Sequence, residues 1–538
     1  MSSMTAADHE LSAEERARVA PYVTSVDGPV FALTNLPEAT KGALFARYSR
    51  SPKSLRRLLV DEFLARDHEV AAPGASADDV GAARATALYG RVLAEYGDDS
   101  VAQLGAAHLA VEGASNLLTK AIEWGRLASY LEQSTRYIAF TDRPGGRFRY
   151  HRPAWLAAHP ALARSYEDVL DGAFMTYAGL LPRLEAWIDR RLPADGEPDA
   201  ARARAVRAGA LDALRGLLPA ATTANVGIFA SGQAWEAMLV RLRAHPLQEA
   251  HECGERMLVE LRKVIPAFLT RVDREDRGVA HSRYLADVDR AAALLAEGLL
   301  GDPPASPDGP AVRLVDHDPD GEARVVAHAL WPASGRPLGE VRAAAEAMTP
   351  AERARVLAAC VGDRGDRRQR PGRAFEATAY TFEVVADYGA YRDLQRHRML
   401  SLQAQPLTPG LGYDVPAEVA EAGAASDYEA SQRACVGLHD ELAAVRPEEA
   451  GYAVTLAHRI RFTMVMNARE AMHVLELRSQ PQGHESYRRV AREMRRLIAE
   501  RAGHGAIAAA MSFVDESDPV AGRLGAERAA EARRRALH

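Results

Sequence analysis

The chain has 538 residues, enough for two or three domains with full cores and no need of disulfide or metal staples. A net charge of −6, with lysine only at Lys41, Lys53, Lys120 and Lys263 and arginine scattered throughout, argues against a nucleic-acid binder. Cys253, Cys360 and Cys435 are far apart, and no apolar run reaches the ~18–20 residues of a membrane span, which excludes a C-x-x-C zinc site, a secreted disulfide framework and a membrane helix. A reducing cytoplasm is the expected compartment, no metal is expected, and the first twenty residues lack the apolar core of a leader.

In chain order, PVFALTNL (29–36) is the first candidate strand. Next comes Trp124-Gly125-Arg126, with Glu132, Ser134, Arg136 and Tyr137 close behind. A carboxylate, a hydroxyl and a guanidinium within five residues suit a polar heterocycle bearing a phosphate; the alternative, which spacing alone favours, is that Ser134 caps a helix and Glu132 pairs with Arg136 across one turn. Helical patterning follows at 160–190, 200–216 and 246–270, the last with an apolar face of Met257, Leu261, Val264 and Ile265. Residues 296–320 are dense in Pro, Gly and Asp and read as a linker ending in a hairpin. Val312 and Leu314 form its first strand, Pro319-Asp320-Gly321 its turn, and Arg324 to Ala329 its return. The chain is therefore divided into 1–300 and 301–538.

Beyond that cut, TAYTFEVV (378–385) reads as a strand and Arg396-His397-Arg398 gathers three nitrogen-rich side chains. Two guanidinium forks and an imidazole suit an anion or an electron-rich ring, while a solvated basic run is the alternative. Further helical patterning covers 417–446 and 486–511, where Val490, Met494, Leu497 and Ile498 repeat the offsets seen at Met257. The predicted class is α+β, helix-rich, without strand–helix alternation and without a G-x-G-x-x-G or Walker-type loop after any strand.

Two blocks recur in the same order. Arg126 and Arg398 are 272 positions apart, whereas Ser231-Gly-Gln233 and Asn467-Ala-Arg469 are 236 apart. The first copy thus holds 36 more residues between its blocks, placed between Asp142 and Ala200, where surface loops or added helices absorb insertions.

Both copies resemble the flavin-dependent thymidylate synthase family, whose pattern is G-H-x-S-x-x-E-H, a helix, then R-H-R-x7-S and x-R-Y. In 97–137, Glu132, Ser134, Arg136 and Tyr137 stand at the family's substrate positions, while Trp124-Gly125-Arg126 replaces the flavin triplet and Asp98 and Leu104 replace upstream histidines. In 375–401 the triplet Arg396-His397-Arg398 is intact, with Asp393 three residues before it, but Ala404, Pro406 and Thr408 replace the substrate residues. Arg215 matches a phosphate-binding arginine that Gly451 replaces in the second copy. Asn467 and Arg469 match flavin contacts, and Arg478 a further nucleotide-binding arginine.

The resemblance implies FAD as cofactor, NADPH and methylene-tetrahydrofolate as co-substrates, and reductive methylation of dUMP without a cysteine nucleophile. It implies a homodimer acting as a pseudo-tetramer. The second copy would bind flavin through Arg396, His397, Arg398, Asn467 and Arg469; the first would bind nucleotide through Glu132, Ser134, Arg136, Tyr137 and Arg215, with Arg478 reaching it from the flavin side. Ser134 and Arg398 are the catalytic candidates. A paralogue acting on another substrate, or a non-catalytic flavin and nucleotide binder, would show much the same residues.

Overall fold

The computed structural model describes residues 11–48, 51–64, 103–193, 200–301, 311–517 and 519–536. Asp98 therefore lies outside the described residues. The strands in chain order are β1 (Ala106–Ser115), β2 (Ala128–Glu132), β3 (Thr223–Ser231), β4 (Val312–His317), β5 (Ala379–Asp387), β6 (Ser401–Ala404) and β7 (Arg459–Asn467). The principal helices are α1 (Pro160–Arg191), α2 (Ala200–Leu214), α3 (Gly232–Ala244), α4 (Gln248–Leu261), α5 (Tyr388–Leu394), α6 (Ala425–Ala443), α7 (Ala468–Arg478), α8 (Glu485–Glu500) and α9 (Pro519–Ala536). This is the helix-rich α+β class expected from the sequence, with two small sheets. No described helix is long and apolar enough to cross a membrane.

The chain forms two compact units. One consists of Met1–Glu112, Trp124–Glu132 and Asn225–Asp302. Its sheet has the order β1-β3-β2, with β2 antiparallel to β3 and Glu132 opposite Val226. Val226, Ile228 and Ala230 alternate inward, as a half-buried strand requires. At the end of β3, the Ser231 hydroxyl accepts the Ala234 N–H and starts α3. The expected apolar face of α4 is shorter than its sequence pattern: Met257, Leu261 and Ile265 are buried, but the helix ends at Leu261 and Val264 is 55% exposed. Pro266 disfavours helical backbone at Ile265, so the turn cannot continue. Among the described residues PVFALTNL pairs only through an isolated bridge between Val23 and Leu33, because a lone alternating run with so short a partner does not propagate a ladder.

The other unit consists of Gly113–Glu123, Gln133–Ala224 and Pro303–His538. Its antiparallel sheet has the order β4-β5-β7-β6, with Ala379 opposite Asn467 and Asp387 opposite Arg459. Tyr380, Phe382 and Val384 of β5 are buried, as are Phe462, Met464 and Met466 of β7. The expected hairpin is corrected here. β4 forms, but Gly321–Ser334 is a helix with Val325, Val326 and Ala327 buried, and β4 pairs instead with β5, Val312 lying opposite Val384. The Arg324 N–H donates to the Asp320 carbonyl and Glu322 sits in the positive first turn, so the predicted turn opens a helix.

The repeat is visible as duplicated strand–cap–helix corners. Ser115 caps Asn116–Ile122 and Asp387 caps α5, 272 positions apart; Ser231 and Asn467 cap α3 and α7, 236 apart. Within the second unit, equivalent positions touch. Pro219 and Thr455, also 236 apart, form an antiparallel bridge, flanked by Ala220 N–H to Val454 O at 2.7 Å and Leu456 N–H to Leu218 O at 2.9 Å. The Tyr388 hydroxyl likewise donates to the carbonyl of Asn116, its counterpart 272 positions away, at 3.3 Å. Like positions meeting each other is the signature of a local two-fold axis between the copies. The region given to the 36 extra residues holds α1, a 32-residue helix packed on α6.

Candidate functional site

Arg136 follows β2 in a turn whose geometry Ser134 sets. The Ser134 hydroxyl accepts the Arg136 N–H at 3.1 Å and its carbonyl accepts the Ile138 N–H at 3.2 Å. The hydroxyl thus braces a turn rather than capping a helix, which is where the local reading is corrected. The guanidinium of Arg136 goes elsewhere than along its own turn. It holds Asp212 of α2 bidentately at 2.7 and 2.8 Å, and donates to the Tyr487 hydroxyl at 2.7 Å and the Gln482 carbonyl at 2.6 Å. Asp212 also receives Arg523 of α9. Burial alone would raise the Asp212 carboxyl, but Arg136 and Arg523 outweigh it and hold the group far below the usual range.

Arg215, one turn beyond Asp212, is buried to 3% exposure. Its Nη1 donates to Asp393 of α5 at 3.2 Å, and its Nη2, which makes no hydrogen bond, lies 3.6 Å from Asp387. Gly389 makes room for it. A Cβ there would lie 2.9 Å from Nη2 and 3.0 Å from Cζ.

Arg478, the last residue of α7, approaches Asp393 to 4.0 Å and lies 5.6 Å from the centre of the Tyr487 ring. Asp393 therefore sits among Arg215 and Arg478, with Arg136 and Arg396 acting on it from farther out. Burial of an ion costs several kcal/mol. Each close guanidinium returns about 4 kcal/mol at an effective dielectric of about 20. The cations win, and the Asp393 carboxyl stays ionised well below its ordinary value.

Arg478 also organises His397. Its Nε donates to His397 Nε2 at 2.8 Å, so Nε2 is the acceptor and the proton belongs on Nδ1, 3.7 Å from Glu470 Oε1. Burial, Arg478 and His473 keep His397 neutral. Burial pushes Glu470 up to about 7, although Arg370 and Arg469 pull the other way. The ligand atoms of His397, Glu470 and His473 lie within 4.8 Å of one another. A proton on Nδ1 removes the lone pair a metal there would need, so the trio is better suited to holding protons than a cation.

The remaining predicted residues divide as follows. Asn467 spends its carbonyl oxygen on the Glu470 N–H as the cap of α7, and Arg469 donates to the Pro371 carbonyl at 2.9 Å and approaches Glu376 to 3.5 Å. Arg396 is exposed and Arg398 half-buried in the segment after α5. Tyr137 is exposed, and Glu132 is buried on β2 in the other unit. Asp212, Tyr487, Glu470 and His473 were absent from the sequence reading. Only the Glu470-x-x-His473 spacing, which puts both on one helix face, offered a signal.

The family model described as "Thymidylate synthase complementing protein" matches residues 44–267 and 313–502. A UPF0159 protein of Chlamydia muridarum is 36% identical over 97% of this chain and 98% of its own length. UPF0159 protein Ta1429 of Thermoplasma acidophilum is 30% identical over 90% and 97%, respectively. Among solved structures, a UMP/dUMP methylase PolB from Streptomyces cacaoi bound with 5-Br dUMP is 19% identical, with a TM-score of 0.31, covering 37% of this chain and 94% of that one.

Proposed function

The chain belongs to the thymidylate synthase complementing protein family, in two tandem copies, and from that premise we propose that it is a flavin-dependent enzyme that reductively methylates dUMP at a site both copies share. In this reading the copies are 1–300 and 301–538, a cut that falls between the two matched segments. The observation that carries the reading is the convergence, within one unit, of Arg136 and Arg215 from the first copy with Asp393, His397 and Arg478 from the second.

In this reading Arg136, Arg215 and Arg478 hold the nucleotide, with Ser134 fixing the turn that presents Arg136 and with Tyr137 at its edge. Preorganised guanidiniums cost no reorganisation when an anion arrives. Flavin falls to Arg396, His397, Arg398, Asn467 and Arg469. The donor set fits such a group: guanidiniums, an imidazole fixed by Arg478, and the Asn467 amide nitrogen left over once its oxygen has capped α7. A bound reduced flavin would supply electrons for the methylation, with NADPH as reductant and methylene-tetrahydrofolate as carbon donor. Arg398 would stabilise negative charge there. Cys253 and Cys435 are poor candidate nucleophiles, because burial raises their thiols to about 12.

The purified protein should be yellow and should release tritium from C5-labelled dUMP when given methylene-tetrahydrofolate and NADPH. A yellow protein without release supports a paralogue with another substrate. Colourless protein that FAD cannot reconstitute sinks the enzyme reading.

A further inference from the structure

Asp393 puts a fixed negative charge inside the arginine cluster. Its carboxylate is 3.2 Å from Arg215 and 4.0 Å from Arg478, and it feels Arg136 and Arg396 as well. The other carboxylates nearby are committed. Asp212 is held by Arg136 and Arg523, and Asp387 accepts the Ala390 N–H at 2.8 Å and the Ser486 hydroxyl while facing Arg215. His397 and His484 are held well below their ordinary range by burial, and burial raises the Tyr487 phenol.

Asp393 offsets part of the positive charge that Arg215 and Arg478 present, with Arg136 and Arg396 acting on it from farther out. A phosphate monoester carries about −1.5 to −2 at neutral pH. A diphosphate carries at least one negative charge more. Without Asp393 one more unit of positive charge would be left unopposed, which favours the more highly charged anion.

We propose that Asp393 is a specificity-determining residue, the resident counter-ion that restricts this cluster to nucleoside monophosphates over diphosphates. The assignment rests on the nucleotide reading given above, and goes beyond it by naming which charge state the site accepts and which residue selects it. Asp393 acts through Arg215 and Arg478 rather than on the reacting atoms. Specificity of this kind is a difference between two affinities, so one variant should move their ratio rather than both values together.

The test is equilibrium binding of dUMP and dUDP, at one fixed salt concentration, to the full-length wild type and to Asp393→Asn and Asp393→Glu. The wild type should prefer dUMP, the Asn variant should shift the ratio about tenfold towards dUDP, and the Glu variant, which keeps the charge, should hold the wild-type ratio. Should the Asn variant not fold, Asp393→Ser removes the same charge with a smaller side chain and serves in its place. Equal weakening of both ligands, or a wild type that does not discriminate, overturns the proposal while leaving the nucleotide site standing. Failure of the wild type to bind either nucleotide overturns both.

Discussion

Arg215 is a buried guanidinium whose position depends on a missing methyl group. Gly389 leaves the gap that the Arg215 head occupies, so Gly389→Ala must displace either helix α5 or the arginine. The expected cost is about 1–3 kcal/mol of stability, with weaker dUMP binding, read by denaturant unfolding and ligand titration. Glu470 gives a pH signature. Its folded pKa of about 7 is raised above the model-compound value of 4.5, so the folded state binds more protons and this group's contribution is lost as pH climbs from about 4.5 through 7. His473, lowered to about 4 by burial, works in the opposite sense, its contribution growing as pH rises from about 4 to 6.5. Comparison with Glu470→Gln isolates the acid. The variant should match the wild type near pH 4.5 and exceed it near pH 8 by up to about 3 kcal/mol, measured as unfolding free energy at each pH. A difference that does not change with pH would mean that Glu470 is not held protonated.

At the scale of elements, α9 ties the C-terminal segment to the site. Leu524 packs with Leu192, Ala205 and Val206, and Arg204 binds Glu527 at 3.1 Å and Glu531 at 2.6 Å. That docking delivers Arg523 to Asp212, the partner of Arg136. Leu524→Ala should cost about 2–5 kcal/mol of docking, seen as faster proteolysis within 519–536 and weaker dUMP binding. The elements themselves were largely legible in the sequence. Period-two runs gave β5, and Ser231 and Asn467 stand where caps belong. The hairpin at 311–329 was misread because turn chemistry at Pro319-Asp320-Gly321 opens a helix as readily as a β-turn. The partner that decided the matter, β5, is more than fifty residues away.

At the scale of the whole molecule, the site was half legible. The residues proposed to bind an anion carry their signal in arginine-centred motifs, which is why Arg136, Arg215, Arg478 and His397 could be named. The residues that hold those arginines in place could not be. Asp212 is 76 positions from Arg136 and Tyr487 is 351 away, and no local spacing links them. The two-fold contact of Pro219 with Thr455 explains how such distant segments meet, since the segment after Arg215 runs along its counterpart in the other copy. Arg136→Ala and Arg478→Ala, drawn from different copies, should each weaken dUMP binding at least about tenfold, by titration calorimetry.

The division of labour between the copies is tested most directly by the visible absorption spectrum during FAD titration of two equivalent variants, Arg126→Ala and Arg398→Ala, beside the wild type. Arg126→Ala should bind flavin as the wild type does, and Arg398→Ala should lose it. Equal losses in the two variants, or none in either, would contradict a single site assembled from one flavin half and one nucleotide half.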